Sequence, residues 1–172
     1  MTVLRLKPLG SGAAARLRRA RFLYETGRRD EAIAEAESIL VGDPGSYPTR
    51  FFLAQMMASR GDTWRAMLEF GLVLRAHPRH VESLRSLGDL HFSLDAFEAA
   101  AGFYRRVLEI DRRDVSAWLK LGAVAFASGR HEDAVLAYQR AVQLDRRLTA
   151  SGHTIGDFHS LMRTLQHARN GV

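Results

Sequence analysis

The chain has 172 residues, 47% of them hydrophobic and 26% charged, and no cysteine. This length and apolar fraction describe a folded domain with a sizeable core and exclude low-complexity disorder; the missing thiols exclude disulfides, thiolate chemistry and cysteine-bound zinc. Twenty-five basic against 19 acidic residues leave a net charge of +6, nearly all of it arginine because Lys7 and Lys120 are the only lysines, and such a balance favours acidic partners. Arginine dominance with abundant alanine also fits a GC-rich genome, so a bacterial source is expected.

Residues 1–12, MTVLRLKPLGSG, precede the periodic part of the chain. They lack the apolar core of a secretory signal, and no apolar stretch approaches the roughly twenty residues that cross a bilayer. A cytoplasmic protein without a membrane span is expected. Val3, Leu4 and Leu6 with Arg5 and Lys7, then Pro8, Gly10 and Gly12, read as an extension on a hinge. It could be a tail, an element packed on the start of the periodic part, or a pseudo-ligand in a groove, its own or a neighbour's; the last would give a homodimer.

From residue 13 the sequence repeats with a period of 34 residues, in four gap-free copies at 13–46, 47–80, 81–114 and 115–148. The first carries Arg16, Arg19, Ala20, Gly27, Ala32, Ala36 and Ile39, then Asp43 and Pro44. The second places Arg50, Leu53, Ala54, Gly61, Ala66, Phe70 and Val73 in the same register, with Pro78 after it. The third has Leu84, Leu87, Gly88, Asp95, Ala100, Tyr104 and Val107; the fourth has Trp118, Leu121, Gly122, Gly129, Ala134, Tyr138 and Ala141. Each copy is two stretches of helical apolar spacing split by a breaker. Small residues at the eighth and twentieth places let two helices approach closely, and large neighbours fill the remaining space. Gly27, Gly61 and Gly129 suit a left-handed helix end, with Asp95 standing in for glycine in the third copy. Beyond the fourth copy, Ile155, Phe158, Leu161, Met162 and Leu165 recur at helical spacing, so 149–172 are expected to form a capping helix.

The period, the helix-turn-helix pattern and Trp118, Leu121, Gly122, Ala134, Tyr138 and Ala141 together resemble the tetratricopeptide repeat family. The resemblance implies an all-α, right-handed superhelical solenoid whose first helices line a concave face. It implies a non-catalytic scaffold or adaptor that binds a peptide or helix of a partner protein there. The alternative is a small bacterial secretion-type chaperone holding an unfolded segment of a client. Carried onto this chain, the groove positions are Leu17, Arg21 and Tyr24; Phe51, Phe52 and Gln55; Arg85, Asp89 and Phe92; and Leu119, Lys120 and Phe126. Aromatics interspersed with arginine and lysine fit an acidic or amphipathic segment. Phe52 and Phe126 have a second reading, as packing between adjacent first helices. The family's carboxylate clamp for chaperone tails is missing, because its places hold residues such as Phe51, Phe52, Ser86 and Ser116.

Catalysis finds no support: phosphate-binding glycine loops, the nucleophile elbow and the zinc motif H-E-x-x-H are all lacking. His131-Glu132-Asp133 read as acids at a helix start, His77 and His80 as a solvated turn, and His91 as a packed histidine, so no metal or cofactor is expected. Asp111 and Asp114 read as solvated partners of Arg112 and Arg113. Nucleic acid is disfavoured: the second copy has five basic against two acidic residues, but the first is balanced and the third is acidic, leaving no continuous basic stripe.

Overall fold

The computed structural model describes residues 10–145 and Leu148. Among them are eight α-helices and no strand: α1 (Gly10–Glu25), α2 (Arg29–Gly42), α3 (Tyr47–Ser59), α4 (Thr63–Ala76), α5 (Val81–Ser93), α6 (Phe97–Ile110), α7 (Val115–Ala127) and α8 (His131–Leu144). First helices start 34 residues apart at Tyr47, Val81 and Val115, and second helices do so at Arg29, Thr63, Phe97 and His131. This is an all-α repeat fold. Residues 1–9 of the extension and the capping helix expected at 149–172 lie outside the described residues. Gly10 and Gly12, expected in a hinge, are instead part of α1; the alanines at 13–15 favour helix strongly enough to carry it back over them. No described helix is long and apolar enough to cross a membrane.

The chain divides into two compact units, one ending at Pro78 and holding α1–α4, the other beginning at Arg79 and holding α5–α8. In the first, each helix packs on the next. Ala20, Ala32, Ala36, Ala54 and Ala66 are fully buried where helices meet, and Leu53, Met56, Met57, Phe70 and Val73 fill the space around them. Arg16 and Arg50, at a place where the third and fourth copies carry Leu84 and Trp118, form matched ion pairs. Arg16 Nε lies 2.7 Å from Glu35 Oε1, and Arg50 Nη1 lies 2.8 Å from Glu69 Oε2. Arg50 also donates from Nε and Nη2 to the carbonyl of Pro44, at 3.1 and 2.9 Å.

At the corresponding places the second unit carries no charge, with Leu84 and Phe103 in one repeat and Trp118 and Ala137 in the next. Tyr104 is 1% exposed, and its ring lies against Gly88; Tyr138 meets Gly122 in the same way. A Cβ on either glycine would fall 2.6 Å from the ring, which is why no side chain stands there. Ala100, Ala101, Tyr104 and Val124 form one core cluster, with Phe92, Phe97 and Leu121 packed against it. Ala125, Ala134 and Tyr138 form a second, flanked by Leu119 and Val135.

The polar turns are more structured than solvated turns. His80 caps α5, its Nδ1 accepting from the Ser83 amide at 3.2 Å, while the His77 ring lies 4.0 Å from that of Tyr47. Asp114 caps α7, accepting from the Ala117 amide at 2.9 Å, and its side chain is only 8% exposed. His91 stacks on Phe103 at 5.3 Å. In the turns inside each pair, Gly27, Gly61 and Gly129 have φ of +82°, +81° and +77°, and Asp95 is held at +56°. A left-handed residue with a Cβ costs about 1 kcal/mol relative to glycine. Asp95→Gly is therefore expected to raise the thermal unfolding midpoint followed by circular dichroism; a lower midpoint would mean that the aspartate side chain stabilises the turn.

Candidate functional site

In the first unit, the residues expected on a binding face come from α1 and α3. Arg21 and Tyr24 stand one turn apart on α1, and Phe52 lies beneath both. The Tyr24 ring meets Phe52 edge-on, with centroids 5.9 Å apart and planes at 84°. The Arg21 guanidinium sits 5.5 Å above the Phe52 ring, a cation–π arrangement. The Tyr24 hydroxyl donates to Ser59 Oγ at 2.9 Å, and Ser59 donates on to the Met56 carbonyl. Phe52 is buried, so it supports Arg21 and Tyr24 rather than facing solvent. Phe51 is half-buried, 5.7 Å from Phe70, and Gln55 is exposed. Beside them lies a depression of about 400 Å3, lined by Leu17 and Arg21 of α1 and by Pro48 and Thr49 of α3. Spacing does not reveal Pro48 as a lining residue, because a proline in the first turn of a helix signals a helix start before it signals a surface.

In the second unit the residues come from α5 and α7. Asp89 is the centre: its Oδ1 accepts from the Tyr104 hydroxyl at 2.5 Å and lies 2.7 Å from Lys120 Nζ. Burial, followed by the hydrogen bond to Asp89 and the charge of that carboxylate, pushes the Tyr104 phenol far above its ordinary range, so it stays a donor. Arg85 forms an ion pair with Asp114, the cap of α7; its Nε is buried and makes no hydrogen bond. Phe92 packs on Phe97 at 5.8 Å, and Leu119 on the cluster around Tyr138. Phe126 remains 39% exposed, with the His131 ring 5.5 Å away.

Two features of this surface escape sequence spacing. Two of the three cations expected to attract an acidic segment, Arg85 and Lys120, are already paired with Asp114 and Asp89. Large apolar side chains also stand exposed on second helices, with Trp64 at 75%, Leu68 at 61% and Leu136 at 65%. Among the described residues no cluster of three or more His, Asp and Glu is placed to hold a metal ion.

Two tetratricopeptide repeat models match the chain, one over residues 2–47 and 60–114, the other over 115–148. No curated protein sequence matches it. Solved structures share the fold at low identity. MamA from Desulfovibrio magneticus is 19% identical with a TM-score of 0.73, covering 91% of this chain and 97% of that one. A tetratricopeptide repeat protein from Parabacteroides merdae, 19% identical, reaches 0.80 over 96% of this chain and 64% of its own. YrrB, described as having an unusual peptide-binding site, is 16% identical with a TM-score of 0.71, covering 88% of this chain and 78% of that one.

Proposed function

The chain belongs to the tetratricopeptide repeat family, and on that premise we propose that it is a non-catalytic interaction scaffold. The first helices of its repeats hold a peptide or helix of a partner protein. One observation carries this reading: in each unit, side chains of successive first helices meet on a shared face, Arg21 and Tyr24 with Phe52 in one, Asp89 with Lys120 in the other. Such preorganised aromatic and charged groups lose little entropy on binding, which is what a recognition surface needs. The fold shared with YrrB supports peptide recognition.

Exposed positions make the cleanest probes, because Phe51 and Arg85 also hold their units together. A photo-crosslinking residue at Gln55 or Lys120 is expected to capture a partner protein, whereas one at the exposed Arg75 on α4 captures none. Arg21→Ala with Phe126→Ala should then weaken that partner's binding by about tenfold while leaving the circular dichroism spectrum unchanged. Equal capture from Arg75 would move the interface elsewhere. Capture of a partner only in its unfolded form would favour the chaperone reading.

A further inference from the structure

The second unit carries an open channel on another side of its first helices. Two depressions, of about 400 and 470 Å3, share Arg105, Trp118, Leu121 and Arg140 and so form one channel. Its walls are α6 and α8, and α7 contributes Trp118, Leu121 and Ala125. At 100° per residue these three lie within about 60° of one another around the helix. Leu119 and Phe126, on the proposed groove face, point more than about 90° away. The channel therefore faces elsewhere than that groove.

Its lining is apolar with an unspent basic rim. Leu136 is 65% exposed. The Trp118 indole nitrogen donates to the Arg112 carbonyl at 3.1 Å, so its polar edge is satisfied and its rings remain as apolar surface. Arg105, Arg112, Arg130 and Arg140 line the channel with two carboxylates, Glu109 and Asp133. None of these arginines makes an ion pair among the described residues, whereas Arg16, Arg28, Arg50, Arg60, Arg65 and Arg85 all do. Arg130 donates to Ser128 Oγ and Arg140 to Gln143 Oε1.

We infer that this channel is a second docking surface, for an amphipathic helix of a partner protein with leucine or phenylalanine anchors flanked by aspartate and glutamate. Charge complementarity selects this occupant: carboxylates would neutralise exposed guanidiniums, to which they bind in bidentate geometry, while the anchor covers Trp118 and Leu136. The terminal segments of the chain do not supply that chemistry. Residues 149–172 contain one acid, Asp157, against Arg163 and Arg169, and residues 1–9 contain only Arg5 and Lys7. Glu109 and Asp133 would repel a phosphate backbone, which disfavours nucleic acid.

The test is fluorescence anisotropy of the full chain with a labelled helical peptide bearing leucine and phenylalanine on one face and glutamate on the other. Saturable binding is expected, weakened at least about tenfold by Arg105→Glu with Arg140→Glu. The exposed pair Arg75→Glu with Arg79→Glu, matched in net charge, should retain it. Leu136→Ala, on an exposed side chain, provides a second variant in which the same loss is expected if the charge reversal disturbs folding. Several outcomes overturn the inference: no binding by the wild-type chain, equal losses in both charge-reversed pairs, equal binding of a lysine-for-glutamate peptide, or tighter binding of oligothymidylate. Loss on Gln55→Ala with Lys120→Ala, with Arg105→Glu and Arg140→Glu binding normally, would place the peptide on the proposed groove and likewise refute the channel.

Discussion

Replacing Gly88 with alanine is expected to destabilise the protein by about 2 kcal/mol, although the same change inside a helix ordinarily stabilises by up to about 1 kcal/mol. The added Cβ would lie 2.6 Å from Cε1 and 2.7 Å from Cζ of Tyr104. That ring cannot step aside, since it is 1% exposed and its hydroxyl is tied to Asp89 at 2.5 Å. Gly102 on α6 is the control: a Cβ there meets nothing within 4 Å. Gly102→Ala should therefore raise the urea midpoint where Gly88→Ala lowers it. Tyr104→Phe in the Gly88→Ala background should recover part of the loss, because a ring released from Asp89 can shift; the second copy carries that combination as Ala54 and Phe70. A rise in midpoint for Gly88→Ala would mean that the two helices are not in close contact there.

Arg50→Ala is expected to cost about 2–3 kcal/mol, because it strands a carboxylate that has little access to water. The Glu69 side chain is 12% exposed and Arg50 is 21% exposed. The same substitution takes two donors from the Pro44 carbonyl. Removing both charges should hurt far less than removing one. Arg50→Leu with Glu69→Phe copies the residues of the third repeat, Leu84 and Phe103, and is expected to restore most of the lost stability. A double-mutant cycle by urea unfolding reads this directly: additive single losses would show that the pair is not coupled.

Residue by residue, the legible part of the fold is the part governed by local backbone or by volume. Gly27, Gly61 and Gly129 mark turns because a left-handed φ admits few other residues, and the spacing puts Asp95 in the same role. Gly88 and Gly122 mark close approach because nothing larger fits beneath Tyr104 and Tyr138. Arg16 and Arg50 depart from the apolar pattern, and each finds its glutamate 19 residues on. The matching acids stand in the sequence at equal spacing, but a pattern of apolar residues has no place for them.

Pairing and exposure on the candidate face are different in kind. Arg85 joins Asp114 and Lys120 joins Asp89 across 29 and 31 positions of chain. Long flexible side chains choose partners by distance in space, and periodicity does not carry that distance. Phe52 and Phe126, at the sixth and twelfth places of their repeats, are both expected on the groove face, yet Phe52 is buried under Tyr24 while Phe126 is 39% exposed. Sequence alone determined the helix-turn-helix repeat, its 34-residue register and the positions of closest helix approach, since these depend on local conformation and side-chain size. Tertiary structure decided which cations are already neutralised and which, like Arg105 and Arg112, are left without an ion pair among the described residues. The physical reason is that an ion pair depends on where two helices bring their side chains together, and composition fixes only how many charges there are to place.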